Sequence, residues 1–171
     1  MFVRITWSKL SGTIDTGLST FRERVLPSMQ VQPGYLGAVL LGNRETLEGA
    51  SVTYWQTAEQ MAASDEIAAA GRAVVSQTAG VQIQGIDRFE MILQDRAKPV
   101  AAGTFVRVND VQTGGGQLDA TVAYLRGTTI PAIKSLAGYR AMLVMVNERT
   151  AGPRKPRCSV RYSSRSPKTW C

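Results

Sequence analysis

The stretch PGYLGAVL at residues 33–40 returns as AGYRAMLV at residues 137–144, and this repetition decides the fold. The segment FVRI at residues 2–5 returns in the same way as FVRV at residues 105–108. The offset is 103 residues at the first segment and 104 at the shared glycine and tyrosine, a difference that one inserted loop residue explains. Solenoid and propeller repeats have much shorter periods. The sequence therefore predicts one small domain duplicated in tandem.

The first copy alternates between strand-like and helix-like patterns. Apolar residues at spacings of three and four indicate a helix over residues 14–29, with Pro27 kinking or loosening its last turn. A capping box (TAEQ) at Thr57 begins an alanine-rich helix that ends near Gln77. Strands are predicted at residues 2–7, 35–41, 50–56 and 83–93. The order βαββαβ is that of a ferredoxin-like unit, with its helices on one face of an antiparallel sheet.

The second copy begins like the first but does not complete the unit. Its predicted elements are a strand at residues 104–111, a turn at the glycines of residues 114–116, a helix carrying Leu118, Val122 and Leu125, and a strand at residues 139–147. Residues 159–162 resemble the third strand of the first copy, so another strand is possible there. Counterparts of the second helix and the fourth strand are missing. We therefore predict an α+β protein whose second unit is truncated.

Four segments follow from these patterns. Residues 1–95 form a complete unit, residues 96–103 a linker, residues 104–149 a partial second unit, and residues 150–171 a basic tail. The tail is rich in proline, serine and arginine, a composition that favours disorder.

The net charge of +7 resides at the end of the chain. Residues 1–148 hold 13 basic and 13 acidic side chains, whereas residues 149–171 hold seven basic ones and no acidic one. Two explanations stay open. The tail is a basic arm for phosphate-rich partners, or the reading frame departs from an ancestral coding sequence near Arg149, which the simultaneous change in charge, proline content and periodicity favours. Translating the encoding DNA in its other two frames would distinguish them.

Composition excludes several classes of protein. No apolar run has the roughly 20 residues of a membrane helix, and the first residues already read as a strand, so we expect no signal peptide and a cytoplasmic protein without a membrane partner. The only cysteines, Cys158 and Cys171, lack metal-ligand spacing, and the chain has no histidine. We expect no metal site.

Several short motifs resemble the antibiotic biosynthesis monooxygenase family in their order and spacing. They are FRERVLP at residues 21–27, QPGY at residues 32–35, VTYWQT at residues 52–57 and MAASDE at residues 61–66. The resemblance covers residues 1–95 well and residues 104–149 moderately. It implies a dimeric α+β barrel, in which two ferredoxin-like sheets close face to face. A tandem copy implies that one chain builds what other members build as a homodimer.

The resemblance also implies two chemistries, cofactor-independent oxygenation of phenols or anthrones and haem degradation. Haem-degrading relatives use a helix histidine as the iron ligand, and the matching stretch here, residues 67–72, reads IAAAGR. We therefore expect no haem and no other cofactor.

Oxygenation of an aromatic substrate asks for an apolar pocket and a group that stabilises an oxyanion. Trp55 and Tyr35 are the candidate substrate-binding residues, although core packing is the simpler explanation for each of them. Asn43 and Arg44, at a hairpin, are weak catalytic candidates together with Trp55. Tyr54 neighbours Trp55 on a strand and faces the opposite side, so the two cannot line one pocket.

Arg4 and Arg107 match across the repeat inside apolar strands. The simpler interpretation places both on a solvated face; the alternative is an inward anion clamp.

The sequence thus supports a small-molecule monooxygenase for an apolar aromatic ligand. A non-catalytic ligand-binding or structural barrel is the alternative, and a nucleic-acid binder acting through the basic tail comes third. Because the truncated unit leaves a strand edge and an apolar face uncovered, we expect a homo-oligomer or poor solubility.

Overall fold

The computed structural model describes residues 1–112, 117–147 and 157–162. The chain divides into two compact units, unit 1 (Met1–Arg88) and unit 2 (Phe89–Cys171). The predicted boundaries at residues 95, 103 and 149 stay predictions. The glycine turn at residues 114–116 and most of the basic tail lie outside the described residues.

Unit 1 has the predicted βαββαβ order. Its elements are β1 (Phe2–Leu10), α1 (Ile14–Thr20), a π-helical turn (Phe21–Val25), α2 (Leu26–Gln30), β2 (Tyr35–Gly42), β3 (Glu48–Trp55), α3 (Ala58–Ala63), α4 (Asp65–Ala79) and β4 (Val81–Arg96), which continues into unit 2. The strand order in the sheet is β2-β3-β1-β4. β3 pairs antiparallel with both β1 and β2, so it is held on both edges.

The π-helical turn comes directly before Pro27. The amide of Leu26 donates to the carbonyl of Phe21, five residues back rather than four. Proline has no amide hydrogen, and its ring would clash with the carbonyl four residues earlier in a regular α-helix. The wider turn accommodates Pro27, and α2 follows it directly from Leu26.

The alanine-rich segment after Thr57 is two helices rather than the single predicted one. The side chain of Thr57 accepts a hydrogen bond from the amide of Gln60 (3.2 Å), as predicted for the cap. Ser64 then leaves the helical conformation between α3 and α4, and its hydroxyl donates back to the carbonyl of Met61 (2.8 Å). This local bond competes with the helical ladder and explains the break. α4 ends at Gly80, which has the positive φ of 61° common at helix ends.

The two faces of β1 are both buried. Val3 and Ile5 are fully buried on one face, and alternation places Arg4, Thr6 and Ser8 on the other. The helices supply a core cluster that includes Val25, Met29, Met61 and Val75, which packs with Trp55.

Unit 2 repeats the first four elements of this arrangement, βαββ. Its further elements are β5 (Arg107–Gln112), α5 (Leu118–Tyr124), a π-helical turn (Leu125–Thr129), α6 (Ile130–Lys134), β6 (Ala141–Val146) and β7 (Arg157–Tyr162). The strand order is β4-β6-β7-β5, with antiparallel pairing throughout. The sequence left a strand possible at residues 159–162, and the structure has one there, β7. The second π-helical turn precedes Pro131 just as the first precedes Pro27.

The core of unit 2 is smaller. One core cluster of unit 2 consists of Ile130, Tyr139, Met142, Val144 and Val146. No helix of the part of the chain that the structure describes is long and apolar enough to cross a membrane.

Candidate functional site

A cavity of about 90 Å³ lies in unit 1 between the sheet and the helices. β1, β3 and the ends of β2 and β4 form its floor, and α1, the π-helical turn and α4 form its roof. Most of the lining is apolar, and Leu18, Phe21, Val75 and Ile83 are representative side chains. Its polar lining consists of hydroxyls from β1 and β3 and the guanidinium groups of Arg4 and Arg72.

Small residues create this space. Gly49 on β3 and Ala68 and Gly71 on α4 line the cavity with little or no side chain. Gly71 also lets α4 approach the π-helical turn, because a Cβ there would lie 2.7 Å from Cγ1 of Val25. The helices are therefore held close to each other while the volume beneath them stays open.

Arg4 is buried beside this cavity, with 2% of its side chain exposed. Its Nη2 donates to the carbonyl of Met61, to Oγ of Ser64 (2.9 Å) and to Oδ1 of Asp65 (2.7 Å). The interpretation of Arg4 as a residue on a solvated face is therefore wrong. Ser64 and Asp65 lie at the break between α3 and α4. The break therefore places these two acceptors within hydrogen-bonding distance of Nη2.

The other nitrogens of Arg4 have no such partners. Nε and Nη1 are buried without a hydrogen-bond acceptor among the described residues. A buried donor left unsatisfied costs about 1–3 kcal/mol. Such a cost in a native structure is commonly associated with a bound water, an ion or a functional site.

Asp65 connects two cations to the start of α4. Its second carboxylate oxygen accepts from Nη2 of Arg88 (2.6 Å). Burial is the main reason that the pKa of Arg4 is lowered; Asp65 opposes the shift, and the charges of Arg88 and Arg72 add to it. Burial likewise lowers the pKa of Arg72. Two guanidinium groups thus pair with one carboxylate, and the charge of Arg72 acts on the same cluster, so these four described groups carry a net positive charge.

Trp55 lies one layer behind the cavity wall. It is fully buried, and its ring lies 5.5 Å from Cζ of Arg4. Its Nε1 donates to Oγ1 of Thr53 (3.0 Å), and Thr53 itself lines the cavity. Trp55 therefore contacts two of the polar lining residues without being among the described lining residues itself.

Tyr35 packs against Trp55 edge to face, with 5.6 Å between the ring centroids. Its side chain is half-buried, and this burial raises the pKa of its hydroxyl. The preceding Gly34 has a φ of 75°, and a Cβ there would lie 2.0 Å from Oε1 of Gln60. Only glycine fits this turn, which fixes where β2 and its tyrosine begin.

The structure does not bring Asn43 and Arg44 to the cavity. The side chain of Asn43 accepts from the amides of Glu45 and Thr46 and so closes the hairpin turn. Arg44 forms an exposed salt bridge with Asp15 (2.6 Å). Both residues hold the β2–β3 connection.

The counterparts in unit 2 have different surroundings. Arg107 is exposed. Tyr139, which matches Tyr35, is buried, and its hydroxyl donates to Oδ2 of Asp95 (2.6 Å), whose other oxygen pairs with Lys134 (2.6 Å). Burial and the Asp95 carboxylate both raise the pKa of Tyr139.

The sequence analysis missed Asp65 and Arg72 as members of the site. Asp65 lies in the middle of the single helix predicted from Thr57 to Gln77, so no signal in the sequence indicated that it begins a helix. Arg72 carried no signal either. Among the described residues, no group of histidine, cysteine or acidic side chains could hold a metal ion.

Comparison with known proteins identifies relatives of uncharacterised function. No family model matches the chain. An uncharacterised protein of Mycobacterium tuberculosis is 30% identical over 142 residues, and a second protein of that organism is 27% identical over 138 residues. The matches cover 83% and 79% of this chain. They span only 62% and 57% of the two relatives, which are therefore longer than this chain.

Solved structures show the fold. An anthrone oxidase-like protein is 12% identical with a TM-score of 0.62, covering 97% of this chain and 74% of its own. A protein of Fusobacterium nucleatum provisionally assigned as a monooxygenase is 11% identical with a TM-score of 0.64, over 95% and 75% of the two chains. One provisionally assigned as a chlorite dismutase is 11% identical with a TM-score of 0.61, over 96% and 79%. The predicted α+β class is confirmed, and these neighbours have the dimeric α+β barrel fold.

Proposed function

We propose that this protein is a cofactor-independent monooxygenase of the antibiotic biosynthesis type, which oxidises an apolar aromatic, phenol- or anthrone-like substrate. The observation that carries the proposal is the apolar cavity of unit 1, roofed by helices and floored by the sheet. The names of two structural neighbours, an anthrone oxidase-like protein and a protein provisionally assigned as a monooxygenase, support the same chemistry.

The reaction balances without an added reductant. In anthrone, the methylene carbon that lies between the two aromatic rings, opposite the ketone carbon, loses two hydrogens and becomes a carbonyl. One atom of O₂ becomes the carbonyl oxygen, and the other leaves as water with the two hydrogens. The chain's part is to bind the rings among Leu18, Phe21 and Val75 and to keep bulk water away from the reacting carbon.

The direct test is oxygen uptake with anthrone in an oxygen electrode, comparing the wild type with Ala68→Phe. Ala68 lines the cavity, so the added ring fills it and we expect uptake to fall to the uncatalysed rate. Ala69→Phe is the matched control, because Ala69 is exposed on the same helix. Circular dichroism verifies that both variants fold. Equal uptake with and without the wild-type protein would refute the proposal.

Trp55 and Tyr35 are proposed as the supporting wall of the substrate site. The contact of Trp55 with Arg4 and Thr53, and that of Tyr35 with Trp55, support this role. We expect Trp55→Phe to lower the rate of oxygen uptake by about threefold to tenfold, because a weaker ring face and a lost hydrogen bond loosen Arg4. Trp7→Phe is the control, since Trp7 bonds to Asp87 (2.8 Å) and does not line the cavity.

A second candidate function is ligand binding without catalysis. In the described part of the chain, the ionisable groups that line the cavity are the two guanidiniums of Arg4 and Arg72. Arginine keeps its proton and is a poor general base. Binding of anthrone without oxygen uptake would favour this second function.

A further inference from the structure

We infer that Arg4 is the anchor for an anionic oxygen on the ligand of the unit 1 cavity. The ligand class is then an apolar aromatic molecule carrying one carboxylate, phenolate or enolate oxygen. The inference rests on the proposed function for the identity of the cavity as a substrate site, and it adds what the substrate must carry.

The hydrogen bonds of Arg4 are the first observation that supports the inference. All three described acceptors, on Met61, Ser64 and Asp65, bind the same nitrogen, Nη2. This fixes the position of the guanidinium and leaves the hydrogens of Nε and Nη1 without partners. Since Arg4 is also a lining residue of the cavity, a ligand atom there is the acceptor that the geometry lacks.

The excess of positive charge around Arg4 is the second observation that supports the inference. Arg72 and Arg88 act on Arg4 through their positive charges, and among the described residues Asp65 is the carboxylate whose charge opposes them. A neutral carbonyl would satisfy the hydrogen bonds but would leave this excess of positive charge. An anionic oxygen satisfies both, and in a low-dielectric wall its attraction to the guanidinium is stronger than in water.

The remaining lining determines the rest of the ligand. The side chains away from Arg4 are apolar, so the anionic oxygen is placed at one end of a molecule whose body is hydrophobic. A phenol or an enolisable ketone binds here as its anion. To form that anion it loses the proton of its O–H or C–H bond to solvent and keeps the electron pair. That electron-rich form is the one that reacts with O₂ in the proposed function.

The test measures the affinity of two matched pairs of probes by isothermal titration calorimetry. One pair is 2-naphthoate and 2-naphthamide, a carboxylate and its neutral analogue. The other is 2-naphthol, titrated above and below the pH of its ionisation, and 2-methoxynaphthalene. In the wild type we expect each anion to bind about tenfold to a hundredfold more tightly than its neutral partner, the gain of a hydrogen bond to a charged group. A preference in only one pair identifies which oxygen the site takes.

Variants assign the preference to Arg4. Arg4→Met should bring the anion and its neutral partner within about threefold of each other while the neutral probe binds as before. Arg72→Met, which removes the other lining guanidinium, should keep most of the preference. An Arg4→Met protein that retains the preference, or an Arg72→Met protein that alone loses it, overturns the inference.

The affinities measured with the wild type test the inference even if Arg4→Met does not fold. Equal affinity for 2-naphthoate and 2-naphthamide, together with equal affinity for 2-naphthol and its ether, means that Nε and Nη1 bind water only, and overturns the inference. The outcome is separable from that of the proposed function. An anion preference without oxygen uptake refutes the oxygenase and leaves the anchor; oxygen uptake that Arg4→Met does not lower refutes the anchor and leaves the oxygenase.

Discussion

The two units carry the same arginine in their first strands and give it opposite surroundings. Arg4 is buried under α3 and α4, whereas Arg107 is exposed. Both units have a strand, a helix with a π-helical turn before proline, and a glycine-tyrosine pair before the next strand. The difference comes from Ser64 and Asp65, at the α3–α4 junction, a segment that has no counterpart in the described part of unit 2. The repeated arginine is thus buried in the unit where a second element covers it and is exposed in the other.

The largest effect we expect on this comparison is from Asp65→Ala. It leaves Arg4 buried without its counter-charge, and loss of one partner of a buried pair costs about 3 kcal/mol in the free energy of unfolding. Arg4→Met should cost less, roughly 1–2 kcal/mol, because Asp65 is 43% exposed and keeps Arg88 as a partner. Urea unfolding measures both.

Arg107→Met is the control in unit 2. Because Arg107 is exposed, we expect a change of less than about 0.5 kcal/mol. If Arg107→Met destabilises the protein as much as Asp65→Ala does, the contrast between the units has another origin.

The different burial of these two arginines shows which structural features could be predicted from the sequence. Periodicity and the repeat predicted the strands and helices of both units, because hydrophobic spacing is a local property and the duplicated segments fix the same order twice. Proline at residue 27 indicated a disturbed helix but could not specify a π-helical turn, which depends on how the turn packs. The burial of Arg4 depends on Asp65, 61 residues later, and no local pattern contains that information.

The site was the less predictable part for the same reason. Trp55 and Tyr35 stand out in the sequence as aromatic residues at strand ends, and the structure places them together. The cavity itself depends on small residues such as Gly49 and Ala68, and an alanine in an alanine-rich helix carries no signal of its own.

The next largest effect on stability is expected from replacing a glycine by alanine in the helical segments of the two units. Gly71→Ala should destabilise the protein by about 1–2 kcal/mol, because the new methyl group would lie 2.7 Å from Val25 and the clash outweighs the better helix propensity of alanine. Gly127 lies in the π-helical turn of unit 2, and nothing lies within 4 Å of a Cβ there. Gly127→Ala should therefore be neutral or stabilise by up to about 1 kcal/mol. Thermal unfolding of the two variants checks the contrast, and destabilisation by both would contradict it.

The smallest effect concerns the matching tyrosines. Tyr139→Phe removes the hydrogen bond to Asp95 and should cost about 1 kcal/mol in the free energy of unfolding. Tyr35→Phe should cost less than about 0.5 kcal/mol, because its half-buried hydroxyl makes no side-chain hydrogen bond in the described structure.

The environment of Tyr139 also predicts how the stability of the protein depends on pH. The pKa of Tyr139 in the folded protein is raised by burial and by Asp95 above the value of about 10 that an unfolded tyrosine has. The neutral hydroxyl is therefore favoured by folding, so its contribution to stability is complete below pH 10 and declines as the pH rises above it. We expect the urea midpoint of the wild type to fall more steeply above pH 10 than that of Tyr139→Phe. Parallel pH profiles for the two proteins would mean that Tyr139 ionises as freely in the folded chain as in the unfolded one, and that the Asp95 contact does not distinguish unit 2 from unit 1.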